Sequence, residues 1–300
     1  MFQVLIDSLI RSAELSFLAV GLTMVYSVLR FANFAHVEFA TVGAYLALAL
    51  SGAGLPLVVA AVFAVALAGV LGVGIDRAIF SRLRAASPVM LMIASFALGI
   101  AMRETVRAVW GPSPFFYNLG VLPPWRVWGA FVTPTQVAVI VAAVLAMIAF
   151  HLLLGRTTLG IAMRATADNP NLSQASGIAT KSVIRAVWFI GSGFAALGGV
   201  LVGLNTQVKP DMGFGLIIEV FSAAILGGIG SPYGAILGAV VVGFAENVGL
   251  AIDWAPVLNI VGLGPDRFAF IPTGYKAAVA FSLLIVTLLI RPRGLLGAKQ

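Results

Sequence analysis

Between Phe39 and Ile75 the chain carries no charged residue, and two further runs, Val132 to Leu154 and Ala186 to Val208, are equally free of charge. Each is long enough to cross a hydrocarbon core about 30 Å thick, which takes roughly 20 helical residues. A membrane β-barrel would instead show alternating segments of about ten residues, not continuous apolar runs. Charge is scarce throughout: 10% of the 300 residues are Asp, Glu, Lys or Arg, and the mean hydropathy is +1.07. A soluble domain averages about a quarter charged, and so few charges could not cover the surface of a water-soluble protein this size. The expected fold class is an all-α polytopic membrane protein with about eight or nine transmembrane segments, some of them short or broken. They form a single transmembrane domain over residues 1–300.

The net charge of +7 and pI near 10.2 do not require nucleic acid, because Lys and Arg accumulate in the cytoplasmic loops of membrane proteins. With the N-terminus outside and nine crossings, the inner side collects Arg30, Arg77, Arg82, Arg84, Arg156, Arg164, Lys181, Arg185, Arg291, Arg293 and Lys299, most of the 18 basic residues. Arg103, Arg107 and Arg126 fall outside. The C-terminus is expected in the cytoplasm of a multi-pass protein. The absence of cysteine removes disulfides, thiolate metal sites and Cys nucleophiles. The start, with Asp7, Arg11 and Glu14, lacks the order of a cleavable leader, so Leu15 to Leu29 reads as the body of the first membrane helix.

The segments run from about Leu9 to Arg30, His36 to Ser51, Pro56 to Ile75, Pro88 to Arg107, Pro134 to Leu154, Ala186 to Asn205, Gly215 to Gly228, Tyr233 to Ile252 and Thr273 to Ile290. Asp76 to Ala86 reads as a basic loop. Gly111 to Thr133 is a long connection rich in Pro and in aromatics, including Trp125 and Trp128, of the kind that settle at membrane interfaces. The longest hydrophilic stretch, 155–185, reads as a cytoplasmic loop. Within it Gly160 to Asn169 reads as a short amphipathic helix stopped before Pro170, and Ser173 to Ile178 as a second turn closed by Gly177.

Polar groups inside apolar segments mark functional candidates. Asn33, His36 and Glu38 stand within six residues of one another. Glu219 and Glu246 flank the glycine-rich run Leu226 to Gly238, where Gly228, Gly230, Ser231 and Pro232 disfavour an unbroken helix. Such a break points to a transport pathway, and Gly234-x-x-x-Gly238 equally to close helix packing; both readings stay open. The three glutamates either sit at helix ends near water or line a polar path or pair with a buried Arg. No Walker-type phosphate cradle is present. His36 and His151 are too far apart in sequence to suggest a zinc site. Gly191-Ser192-Gly193 is only a degraded nucleophile elbow. His36 therefore reads as a structural or orienting group near a membrane interface, and the two polar regions, 33–38 and 227–238, as neighbours beside a passage.

Taken together, Gly21-Leu22-Thr23-Met24-Val25-Tyr26, Asn33-Phe34-Ala35-His36-x-Glu38, Leu159-Gly160-x-x-Met163-Arg164-Ala165 through Asn169-Pro170 to Ser176-Gly177-Ile178, and Leu226-Gly227-Gly228-Ile229-Gly230-Ser231 with Gly234-Ala235 resemble the permease subunits of bacterial ABC importers for branched-chain amino acids, the high-affinity system's H-type permease in particular. The resemblance implies a bacterial inner-membrane machine that moves leucine, isoleucine or valine. Its parts would be a second homologous permease chain, two cytoplasmic ATPase subunits that hold the ATP and Mg, and a periplasmic substrate-binding protein. It implies no cofactor and no catalysis in this chain. Asn33, His36, Glu38, Glu219, Gly228, Gly230, Ser231 and Glu246 are the pathway or gating candidates. Leu159, Gly160, Arg164, Asp168, Asn169, Pro170 and Gly177 mark the ATPase-coupling loop. Two departures stand out. Val37 replaces the family's usual glycine, so the backbone there should be ordinary helix or extended. Ser173-Gln174-Ala175 stands where relatives often have Glu-Ala-Ala. The alternatives are an ion-coupled transporter or channel using the three glutamates, or a permease of the same family for urea, amides or other amino acids.

Overall fold

A computed structural model describes residues 2–120, 123–127, 129–260 and 269–296; Trp128 and Lys299, used above, lie outside them. The helices are α1 (Phe2–Leu29), α2 (Glu38–Gly52), α3 (Leu57–Ile75), α4 (Ser81–Leu83), α5 (Pro88–Trp110), α6 (Pro134–Arg156), α7 (Thr158–Asp168), α8 (Pro170–Ala175), α9 (Thr180–Asn205), α10 (Met212–Gly215), α11 (Ile217–Gly227), α12 (Pro232–Ala251), α13 (Ala255–Ile260) and α14 (Lys276–Ile290). A two-stranded antiparallel hairpin, β1 (Trp125–Val127) with β2 (Ala130–Val132), sits in the connection before α6. Among the described residues eight helices are long and apolar enough to span a bilayer, and α11 is a shorter apolar ninth.

The helix starts follow local chemistry. Ser87, Thr133 and Ser231 each precede a proline and accept a hydrogen bond from a backbone N–H in the first turn of α5, α6 and α12. Thr133 and Gln136 complete a reciprocal capping box, satisfying amide groups that would otherwise be left open.

Several expected boundaries are corrected: α9 begins at Thr180 rather than near Ala186, and the second turn of the loop is Pro170–Ala175 rather than Ser173–Ile178. The first helix begins at Phe2 rather than near Leu9. Asp76 to Ala86 is not a loop: a π-helical turn, Asp76–Phe80, carries α3 on into α4. Arg84 binds both oxygens of Asp76, at 2.9 and 2.7 Å, so the carboxylate stays buried without ending the helix.

At the centre, α1 and α9 pack against α2, α3 and α12. Lipid gives no hydrophobic drive for helix association, so small residues that admit close backbones take its place. Gly199 of α9 shows the constraint: a Cβ there would run into the Ala40 carbonyl of α2.

Sidedness follows from the two ends of α1, which at 28 residues is about 42 Å long at ~1.5 Å per residue. Near its start, Gln3 accepts a hydrogen bond from the Phe131 N–H at 3.0 Å. At its end, Arg30 donates to the Ala167 carbonyl at 2.6 Å. The 111–133 connection and the α7–α8 pair therefore lie at opposite ends of the bundle. Leu295 and Leu296 bond to the carbonyls of Leu226 and Gly227, and Leu296 shares a cavity with Arg30 and Arg164. Residues 291–296 thus lie at the α7 end, opposite the start of α1.

Candidate functional site

Three groups of residues concentrate polarity in this bundle. The first is the stretch after α1. Arg30 turns the chain with a left-handed backbone, φ 57, a conformation uncommon outside glycine. The chain then passes back to a 3-10 turn, Phe34–Val37, that lies against the middle of α1. Val37 takes an ordinary helical conformation, φ −66 and ψ −25, as its β-branch requires. His36 is corrected from an interfacial position: it is fully buried and lies at the crossing of α1 and α9. A Cβ on Gly21 would lie 2.6 Å from both the His36 Nε2 and the Gly191 carbonyl.

Asn33 is fully buried, with neither amide atom hydrogen-bonded. Most buried amides find partners, which sets this one apart from the hydrogen-bonded Glu38 nearby. The Phe34 N–H donates to Ser95 Oγ of α5 at 3.0 Å, and its ring stacks on Phe221 of α11 at 5.0 Å. Glu38 opens α2, where the helix dipole favours a negative charge. It accepts from Thr41 Oγ1 at 3.1 Å, and that hydroxyl accepts from the Gly213 N–H of α10 at 3.0 Å. The first turn of α2 is thereby tied to α10.

In the second group the sequence singled out Glu219 and Glu246, with a buried Arg as one possible partner, but not Arg11 itself. Arg11 of α1 bonds Glu246 of α12 through Nε at 3.1 Å, Glu219 of α11 through Nη2, and Glu14 on its own helix through Nη1 at 3.4 Å. Glu14 also accepts from Asn205, the last residue of α9, at 3.1 Å. One guanidinium therefore binds α1, α11 and α12, with α9 joined through Glu14. Opposite charges three positions apart, Arg11 and Glu14, were the available signal in the sequence. Glu219 and Glu246 are neither helix-end groups in water nor free: both are buried and share Arg11.

The third group lies at the α7 end. Thr157 caps α7 by accepting from the Gly160 N–H at 3.0 Å, and Gly160 packs directly on the carbonyls of Leu153 and Leu154. Arg164 donates to the Leu154 carbonyl, satisfying the last turn of α6. Arg30 does the same for α7 at Ala167. Asn169 caps α8 through the Leu172 N–H at 3.0 Å, Pro170 begins that helix, and Gly177 turns out after it with φ 85. The pair is thus held rigidly while Asp168, Asn169 and Pro170 face outward. Ile161 and Leu172 expose 57% and 64% of their surface.

The glycine-rich break is real and is also a packing device. α11 ends at Gly227, Gly228 and Gly230 take positive φ of 111 and 94, and Ser231 caps α12. The carbonyl of Ala223 leaves no room for a side chain at Gly238. Its position differs from expectation. Gly230 and Ser231 line a 370 Å³ cavity with Arg30, Arg164 and Asp168, so the break faces the α7–α8 pair. It is α11, through Phe221, that meets the 33–38 stretch.

A family model described as branched-chain amino acid transport system / permease component matches residues 4–288. The high-affinity branched-chain amino acid transport system permease protein BraD of Pseudomonas aeruginosa is 31% identical, over 99% of this chain and 96% of its own length. The corresponding LivH of Escherichia coli is 30% identical over 99% and 96%. Among solved structures, PsaBC from Streptococcus pneumoniae in complex with Fab superposes with a TM-score of 0.50, covering 98% of this chain and 94% of that one at 14% identity, a likeness of fold alone.

Proposed function

Because this chain belongs to the family of branched-chain amino acid transport system permease components, we propose that its bundle forms one half of a passage for leucine, isoleucine or valine across the bacterial inner membrane. A second, homologous permease chain supplies the other half. The chain is a multi-pass permease subunit of an ABC importer. A periplasmic binding protein delivers the amino acid. Two cytoplasmic ATPase subunits bind ATP and Mg, and this chain adds no cofactor or chemistry of its own.

The observation that carries this reading is the α7–α8 pair. It is fixed to the ends of α6 and α1 by Arg164 and Arg30 yet exposes Ile161 and Leu172. A chain without a phosphate cradle must receive its energy across a surface, and a rigid pair with apolar tips suits a docking partner. Leu159, Gly160, Asp168, Asn169, Pro170 and Gly177 shape that surface.

Asn33 and Glu38 are the pathway groups we favour: Glu38 is tied through Thr41 to α10, and Asn33 is a buried amide next to Phe34, which contacts α5 and α11. Glu219 and Glu246 are engaged by Arg11, and we assign them to holding the helices in place of ion coupling. Gly228, Gly230 and Ser231 form the tight turn between α11 and α12 at the docking end.

Reconstitution with the partner chains in liposomes tests the reading. Uptake should require ATP hydrolysis and binding protein together; uptake that proceeds without hydrolysis overturns it. Calorimetry on the binding protein with leucine, urea and short amides separates the substrate classes.

A further inference from the structure

We propose that Gly294–Leu296 form a strap that positions the α11–α12 hairpin against the α7–α8 pair, so that a displacement of α7 reaches the Arg11 cluster; this rests on the reading of α7–α8 as the ATPase-docking element. The strap answers a local need. α11 ends at Gly227, and its last carbonyls have no partner within the helix. The N–H groups of Leu295 and Leu296 supply them, bonding to the carbonyls of Leu226 and Gly227 at 2.8 and 2.9 Å.

The approach is close enough to dictate the residue. Gly294 has φ 75, and a Cβ there would stand 2.6 Å from both the Gly228 N and the Ile225 O. Glycine alone meets both conditions without strain. Upstream, the strap hangs from α14, which packs on α11 and α12. Strap, α14 and hairpin are thus one packed unit.

On its other side the strap faces the docking pair. Leu296 lines the 370 Å³ cavity together with Met163, Arg164 and Asp168 of α7 and Gly230 of the hairpin turn. At the far end of the hairpin, Glu219 and Glu246 hold Arg11. A rigid element therefore runs from the cavity wall to the ion pairs, and contiguous packed elements of this kind carry coupling between sites.

The test uses the complete reconstituted importer and reads amino acid uptake per ATP hydrolysed, a ratio that a loss of fold alone would not change. Gly294→Val should lower the ratio about tenfold and Leu296→Ala about threefold, with binding-protein-stimulated hydrolysis and subunit stoichiometry retained. A wild-type ratio in either assembled variant overturns the strap. If Gly294→Val fails to assemble, Leu296→Ala decides alone, since it leaves both backbone bonds in place. Leu172→Asp serves as the separate control. If it leaves ATPase attachment intact, the docking reading fails whatever the strap variants do. If it releases the ATPase while the strap variants keep a wild-type ratio, only the strap fails.

Discussion

Arg11 and Glu246 lie 235 positions apart in sequence and 3.1 Å apart in the folded bundle. The same guanidinium holds Glu14 and Glu219, so three carboxylates converge on one side chain. Removing one partner of a buried pair leaves an uncompensated charge, at a cost of about 3–5 kcal/mol. We predict that Arg11→Ala lowers the thermal stability of the purified chain by that order, and that adding Glu219→Gln and Glu246→Gln restores part of the loss. A single variant as stable as the wild type would remove Arg11 as the central tie.

Glu38→Gln keeps an oxygen that can accept from Thr41 and discards the charge. Charge-assisted hydrogen bonds are roughly twice as strong as neutral ones, and a difference near 1.4 kcal/mol is about tenfold in an equilibrium. Uptake is therefore expected to fall about tenfold with assembly intact. Wild-type uptake would retire Glu38 as a pathway residue.

Arg164→Glu exchanges a donor on the last turn of α6 for a negative charge. Cations are favoured at a helix C-terminus by about 0.3–1 kcal/mol, so the reversal shifts α7 more than it unfolds the bundle. The expected outcome is ATP hydrolysis that outlasts uptake, with Arg164→Lys intermediate. Loss of both in proportion to the protein level in membranes would indicate misfolding instead.

Tyr117, in the connection before α6, donates its hydroxyl to the Ala44 carbonyl at 3.0 Å. Burial holds its phenol above the usual range. Ionisation is therefore harder in the folded than in the unfolded chain, so this contribution is full below about pH 10 and declines as pH rises beyond it. Tyr117→Phe should cost about 1 kcal/mol near neutrality and show a shallower alkaline loss of stability than the wild type. Parallel alkaline profiles would contradict this.

The spanning helices were legible because charge-free runs leave few alternatives, and the glycine break because Gly228, Gly230 and Pro232 obstruct a continuous helix locally. The α7–α8 pair was legible through Pro170 and Gly177. What escaped was the pairing of distant charges. Asp76 suggests a loop until Arg84 is seen to neutralise it eight positions later. Arg11 and Glu14 suggest an N-terminal flank until Glu219 and Glu246 arrive from helices whose neighbours no local pattern reveals. The place of the glycine turn escaped for the same reason: it depends on which end of the bundle α11 reaches.

The Arg11 cluster also has a consequence for how residues far apart in the chain come to share one site. α1 leaves the ribosome long before Glu219 and Glu246 exist, yet its arginine must enter lipid at once, where a lone charge is costly. Glu14, one turn along the same helix and 3.4 Å away, is the one carboxylate of the four-residue cluster present at that moment. Glu219 and Glu246 are translated far later, so the complete Arg11 cluster joins the two ends of the sequence.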